Sequence, residues 1–211
     1  MPNGEILCIG VGGASCSGKS TLCSYLHFLL PNSIVIRQDS FYKSEALIPT
    51  CNGTANWDSP EAIDMIGFRN SLSCLKFSSN EEELPPIEID SEKVQKLKDF
   101  AHNKTIVIVD GFLIYADKSV YDKFDVSIFL EASKEELKKR REQRKGYVTT
   151  EGGYWADPVG YFEDFVWPQY LLYNQSVFKG QIKNLTRLSS QQGISTMVHD
   201  SIKELLKILI H

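Results

Sequence analysis

The sequence predicts an α/β fold, a parallel sheet flanked by helices on both faces, and three observations carry that expectation. Short apolar runs of strand length alternate with helix-length amphipathic segments, the order that wraps a parallel sheet in helices. The first run, Ile6 to Val11, leads directly into Gly13-Ala14-Ser15-Cys16-Ser17-Gly18-Lys19-Ser20, which is the G-x-x-x-x-G-K-S pattern of a P-loop. Two later apolar runs deliver acidic residues, Asp39 and Asp110, to the carboxyl edge of the sheet, where α/β sheets bind ligands. Together these predict a P-loop NTPase fold with a small mobile lid.

With 211 residues and a net charge of −4, the chain suits one domain over residues 1–211, with a lid at about 140–158 and an acidic surface insertion at about 78–92. No basic field favours nucleic acid. The apolar runs fall well short of the roughly 20 residues a membrane span needs. Met1 to Glu5 lacks the basic region of a signal peptide. The five cysteines are odd in number and form no C-x-x-C pair, so they read as reduced, in a cytoplasmic or also nuclear setting. The Asn-x-Ser/Thr triplets at Asn52, Asn103, Asn174 and Asn184 read as coincidence. The sequence leaves the oligomeric state open, with a monomer as the working expectation.

Each element has its own warrant. Ser20 to Leu30 places Leu22, Leu26, Leu29 and Leu30 on one helical face. Ile34 to Ile36 is a second strand. Residues 43 to 57 carry Pro49 and Asn52-Gly53 and read as loop. Ser59 as N-cap, with Pro60 at the first helical position, predicts a helix to about Phe77 on the apolar set Ala62, Ile63, Ile66, Leu72 and Leu75. The Glu- and Pro-containing stretch at 78–92 reads as a solvated, mobile insertion, and a short polar helix follows over about 91–102. Thr105 to Val109 and Asp125 to Leu130 are strands. Ser133-Lys134-Glu135-Glu136 is a capping box opening a helix through Arg144. Residues 146–157, with three glycines, suit a lid. Pro158 to about Lys179 reads as a helix kinked at Pro168, Ile182 to Leu188 as a last strand, and Ile194 to Ile210 as an amphipathic closing helix.

The chemistry begins in the P-loop. Its glycines let the backbone turn against a phosphate, its amides form an anion nest, and the following helix adds its positive end. Gly13, Ala14, Ser15, Cys16, Ser17, Gly18, Lys19, Ser20 and Thr21 are therefore the expected nucleotide cradle. Lys19 reaches the β- and γ-phosphates, and Ser20 offers its hydroxyl to Mg²⁺. Asp110 ends a buried strand as a Walker-B acid does and is a second candidate for the metal, directly or through water. Asp39 would face the γ-phosphate site, where a carboxylate can take a proton from an attacking hydroxyl. Arg140, Arg141 and Arg144 precede the lid, and Arg140 and Arg144 are expected to clamp the transferring phosphoryl group. Closure that excludes water suits a kinase and harms a hydrolase. A guanine-reading Asn-Lys-x-Asp is missing: Asn103-Lys104-Thr105-Ile106 lacks the final Asp. Trp57-Asp58 and Tyr154-Trp155-Ala156-Asp157 each set an aromatic face beside a carboxylate. Such pairs favour a flat cationic ring but equally suit packing, and the residues alone leave both open.

Five stretches then carry a family resemblance: the P-loop, Gln38-Asp39-Ser40-Phe41-Tyr42, Asn56 through Ala62, Val109-Asp110-Gly111-Phe112, and Gly160-Tyr161-Phe162 with Val166-Trp167-Pro168. Together they resemble the nicotinamide riboside kinases of fungal or other eukaryotic type, within the wider uridine kinase-like P-loop group. The resemblance implies transfer of the ATP γ-phosphate to nicotinamide riboside, giving nicotinamide mononucleotide for NAD synthesis, with ATP and Mg²⁺ as cofactors and a small nucleoside as partner. It implies Asp39 as base for the ribose 5′-hydroxyl, Asp58 and Arg141 at the 2′- and 3′-hydroxyls, and Asp157 near the base. Trp57 stands where the family usually has Tyr, stacking on the pyridinium, and Asp110 where some relatives have Glu. The second stacking residue is Tyr154 counted from Asp157, or Tyr147 counted from Arg144. Uridine or cytidine kinase activity and a non-catalytic NTP-binding regulatory role are the alternative readings.

Overall fold

The structure is a computed structural model that describes residues 5–30, 32–74, 84–149 and 151–210. In chain order it has β1 (Glu5–Gly13), α1 (Lys19–Leu29), β2 (Ser33–Arg37), a small hairpin of β3 (Thr50–Cys51) and β4 (Thr54–Ala55), α2 (Met65–Cys74) and α3 (Ser91–Ala101). Then come β5 (Lys104–Asp110), α4 (Lys118–Tyr121), β6 (Val126–Glu131), α5 (Lys134–Gln143), and a second hairpin of β7 (Tyr147–Val148) and β8 (Tyr154–Trp155). The chain closes through α6 (Trp167–Tyr173), α7 (Gln175–Phe178), β9 (Leu185–Ser189) and α8 (Ile194–Ile210).

Five strands form one parallel sheet in the order β2-β5-β1-β6-β9. Because side chains alternate across a strand, β1 serves two cores. Leu7, Ile9 and Val11 join α1, α3 and α8 on one face, while Val107, Val109 and Phe129 of the neighbouring strands meet Phe68, Tyr115 and Val177 on the other. Near-continuous apolar strands are what a sheet covered on both faces requires.

Positions 10 and 12 of β1 carry glycine for want of room. A Cβ on Gly12 would lie 2.3 Å from the Tyr115 ring, and one on Gly10 would lie 2.3 Å from Phe124. Tyr115 is fully buried, and its hydroxyl lies 3.0 Å from the carbonyls of both Gly10 and Ile128, which accept from it. Gly12→Ala is therefore expected to destabilise the fold by about 1–3 kcal/mol through overpacking. A denaturant midpoint equal to wild type would show that the ring moves aside freely.

Four expectations need correcting. The helix predicted from Ser59 is broken. Pro60–Ala62 makes only a 3-10 turn, Ser59 makes no capping bond, and the helix begins at Met65 after Asp64, whose carboxylate accepts from the Gly67 amide at 2.9 Å. The tie between Tyr42 and Ile63 holds the break open: Asp64 donates to the Phe41 carbonyl and Lys43 to the Ala62 carbonyl. Ile66 is exposed and Phe68 takes the core position; Leu75 and Phe77 lie outside the described residues. Within the supposedly solvated insertion, Leu84, Ile87 and Ile89 pack on the α3–α8 core and Asp90 caps α3; residues 78–83 lie outside the described ones. The Pro158–Lys179 helix is three pieces. Pro168 has no amide to continue an α-helical ladder, and the chain passes it through a π-helical stretch at Phe162–Val166. The capping box is half formed: Ser133 accepts from the Glu136 amide at 3.3 Å, but Glu136 turns to Arg140.

Candidate active site

The P-loop joins β1 to α1 over the carboxyl edge of the sheet. Cys16 at φ 62° and Gly18 at φ 93° take left-handed backbone, so the intervening amides converge, and α1 starts at Lys19. Ser15, Cys16, Gly18, Lys19, Ser20 and Thr21 line a cleft of about 800 Å³. Gly13, Ala14 and Ser17 sit buried behind that lining and shape the turn. Lys19 is buried and donates to the Ala14 carbonyl at 2.8 Å. That bond uses one of its three donors and fixes the side chain across its own loop.

Asp39 lies in the 3-10 turn that follows β2, opposite the P-loop in the same cleft. The turn is pinned by buried Gln38, whose side-chain carbonyl accepts from the Leu113 amide at 3.0 Å. The Asp39 carboxylate is reached by solvent from the cleft, yet the cleft's walls displace bulk water around it. This desolvation, followed by the charge of Asp110, raises its pKa above the usual 3.8, with Lys19 and Arg144 pulling the other way. A carboxylate so placed is a stronger base than a free one.

Asp110 does not line the cleft. It is buried and pairs with Arg37 at 3.4 Å, while Arg37 also donates to Ser24 at 3.0 Å. Ser20 is exposed and lines the cleft. A hard cation here would take a protein oxygen from Ser20 and most of its shell from phosphate and water, the ordinary pattern for Mg²⁺.

The other end of the cleft is built around Arg141, a buried residue near the end of α5. Its NH1 and NH2 donate to Asp58 Oδ1 and Oδ2 at 3.0 Å each, and its Nε donates to Asp157 Oδ2 at 2.5 Å. Burial alone would lower the guanidinium pKa; Asp58 first, then Asp157, more than reverse that. The Tyr147 and Tyr161 rings lie 5.2 and 5.5 Å from its carbon. Trp57 lines the cleft between Tyr42 and Trp155, at ring separations of 5.6 and 5.9 Å. Its backbone amide donates to the Tyr161 hydroxyl at 2.9 Å.

The other arginines divide. Arg144 is exposed in the cleft, its carbon 4.3 Å from the Tyr147 ring. No carboxylate pairs with it among the described residues. Arg140 also lines the cleft but is committed to Glu136 at 2.7 Å and to the Ser190 carbonyl at 2.9 Å. Of the two lid tyrosines, the structure places Tyr147 in the cleft, near Cys16 at 3.7 Å. Tyr154 is mostly exposed and donates to the Lys145 carbonyl. In the β7–β8 pair Tyr147 stands opposite Trp155, and both line the cleft. Asp157 does not line the cleft. The roles of Gln38 and Tyr161 in holding Asp39 and Trp57 were not read from sequence, although both residues fall in the stretches that carry the family resemblance. The contact of Thr149 with Glu45 at 2.5 Å, which seats the β7–β8 hairpin on the 45–47 turn, had no sequence signal at all.

A P-loop facing a carboxylate across a cleft, on a five-stranded parallel sheet, defines the class as a P-loop kinase. Solved structures with the same architecture include a sugar kinase from Janibacter sp. HTCC2649, with a TM-score of 0.53 at 14% identity over 95% of this chain and 94% of that one. A possible uridine kinase from Bacillus stearothermophilus has a TM-score of 0.51 at 16% identity over 88% and 90%. These show the fold. The AAA domain family model matches residues 9–151. Among curated relatives, nicotinamide riboside kinase from Schizosaccharomyces pombe is 37% identical over 183 residues, 79% of this chain and 78% of its own. The Saccharomyces cerevisiae enzyme is 30% identical over 99% and 95%, and human nicotinamide riboside kinase 1 is 32% identical over 94% of each. The chain belongs to the nicotinamide riboside kinase family.

Proposed function

We propose that the protein transfers the ATP γ-phosphate to the 5′-hydroxyl of nicotinamide riboside, giving nicotinamide mononucleotide. Asp39 facing Lys19 and Arg144 in one cleft, with Trp57 and Asp58 beside them, is the observation that supports this best. Residues 1–211 act as one kinase domain, with 140–158 as its lid.

The P-loop amides and Lys19 hold the β- and γ-phosphates. Bound Mg²⁺ would neutralise charge on the phosphate oxygens, with Ser20 as its protein ligand and Asp110 behind it. Asp39 orients the acceptor hydroxyl and accepts its proton. Arg144, free of carboxylates among the described residues, faces the transferring group; Arg140 fixes the α5 end of the site through Ser190. Trp57 and Tyr147 present ring faces to a planar cation, a contact worth about 0.5–2 kcal/mol each. Asp58 accepts from the ribose 2′- and 3′-hydroxyls. All five cysteines are free, which fits a reducing, cytoplasmic setting. No helix among the described residues is long and apolar enough to cross a membrane.

The test is ADP release with Mg·ATP and nicotinamide riboside, uridine, cytidine or no acceptor. The fastest release is expected with nicotinamide riboside, with its 5′-monophosphate as product. Release with pyrimidine nucleosides alone would keep Asp39 and the fold but overturn the role given to Trp57.

A further inference from the structure

We propose that Asp157 is a positioning residue for recognition of the acceptor's ribose, acting through Arg141 on Asp58 and not on the base. The proposal rests on the nucleoside-kinase reading of the cleft; the element it adds is Asp157.

Both oxygens of Asp157 are already engaged. Oδ1 accepts from Trp155 Nε1 at 2.9 Å and from Arg141 NH2 at 3.2 Å, and Oδ2 accepts from Arg141 Nε at 2.5 Å. One edge of the guanidinium is thereby fixed on Asp157, and the other holds Asp58 with two 3.0 Å bonds. A guanidinium is planar and rigid, so fixing one edge aims the other. Tyr147 and Tyr161 flank its faces, which leaves rotation in the plane as the motion Asp157 must stop. Asp58 retains lone pairs beyond the two that Arg141 uses, since an ionised carboxylate offers about four acceptor sites. Two hydroxyls on adjacent ribose carbons can meet those lone pairs only if the carboxylate plane is held. Asp157, by contrast, does not line the cleft in which a base would lie.

The two roles make opposite predictions. A carboxylate reading a cationic base would discriminate by base charge. A carboxylate aiming Asp58 would discriminate by the sugar. Asp157→Asn keeps the shape but replaces one acceptor with a donor facing Arg141. For nicotinamide riboside it is expected to raise KM about tenfold while kcat changes less than about threefold. Uridine should lose the same factor, and the 2′-deoxyribosyl analogues of both, which lack half of the diol, should change by less than about twofold. Asp157→Glu, which restores an acceptor pair, should recover part of the KM. An equal loss on ribosyl and deoxyribosyl acceptors would mean general damage and overturn the proposal, as would a loss confined to the cationic base. If wild type prefers another ribonucleoside, the functional reading is revised and the ribose–deoxyribose comparison is read on that acceptor. A protein that phosphorylates no ribonucleoside overturns both.

Discussion

Asp39→Asn is expected to lower kcat by about 10²–10⁴-fold, the usual contribution of a positioned general base, while ATP binding stays close to wild type. The substitution removes the proton acceptor and leaves the P-loop, Lys19 and the cleft walls in place. Its pH profile is equally diagnostic. Desolvation by the cleft walls, then the charge of Asp110, raise the Asp39 pKa above the ordinary 3.8. The base works when deprotonated, so wild-type kcat should fall as pH drops through that raised value, earlier than for a free carboxylate. Arg144 opposes the rise. Arg144→Gln should therefore move the acid limb to higher pH as well as lowering the plateau. Turnover that survives in Asp39→Asn, or an acid limb that persists unchanged in it, would remove Asp39 from the role of base.

The parts of the fold that were legible in the sequence are those where a local signal and the tertiary demand coincide. The β1–P-loop–α1 unit is one, because the glycine spacing, the buried strand and the helix all serve the same phosphate-sized concavity. Strand β5 is another: four apolar residues in a row, Ile106 to Val109, are needed by a strand covered on both faces. Legibility failed where a distant contact outweighed a local preference. Ser59-Pro60 is a good helix opening by itself, but the pairing of Tyr42 with Ile63 extends the chain there and delays α2 to Met65. Leu84, Ile87 and Ile89 carry apolar area that charge counting concealed.

The candidate site divides in the same way. Residues presented by the sheet edge, Lys19, Ser20 and Asp39, stand in one cleft as expected. Residues of the β7–β8 hairpin are set by its register, and a one-residue change of register exchanges which side chains face inward. Spacing from Arg144 and spacing from Asp157 point to different tyrosines; Tyr147 lines the cleft opposite Trp155, and Tyr154 is exposed. The pairing of Arg141 with both Asp58 and Asp157 joins residues 83 and 16 positions away, and no local pattern announces it.

Arg141→Met is expected to be the most destabilising of these substitutions. Arg141 and Asp58 are both buried, and Asp157 is largely so. Removing the guanidinium leaves two carboxylates near one another without their cation, and breaking a buried pair in this way costs about 3–5 kcal/mol. Solvent reaching Asp157 moderates its share, so Asp58 should dominate. One feature separates this from ordinary loss of packing. Arg141→Lys keeps the charge but not the two-edged fork, so it should fall between wild type and Arg141→Met in denaturant midpoint. Equal midpoints for wild type and Arg141→Met would mean that the two carboxylates find water or other donors once the arginine is gone. The stability of this corner would then rest on Tyr147, Tyr161 and Trp155, and Asp58 would be oriented by packing and not by charge.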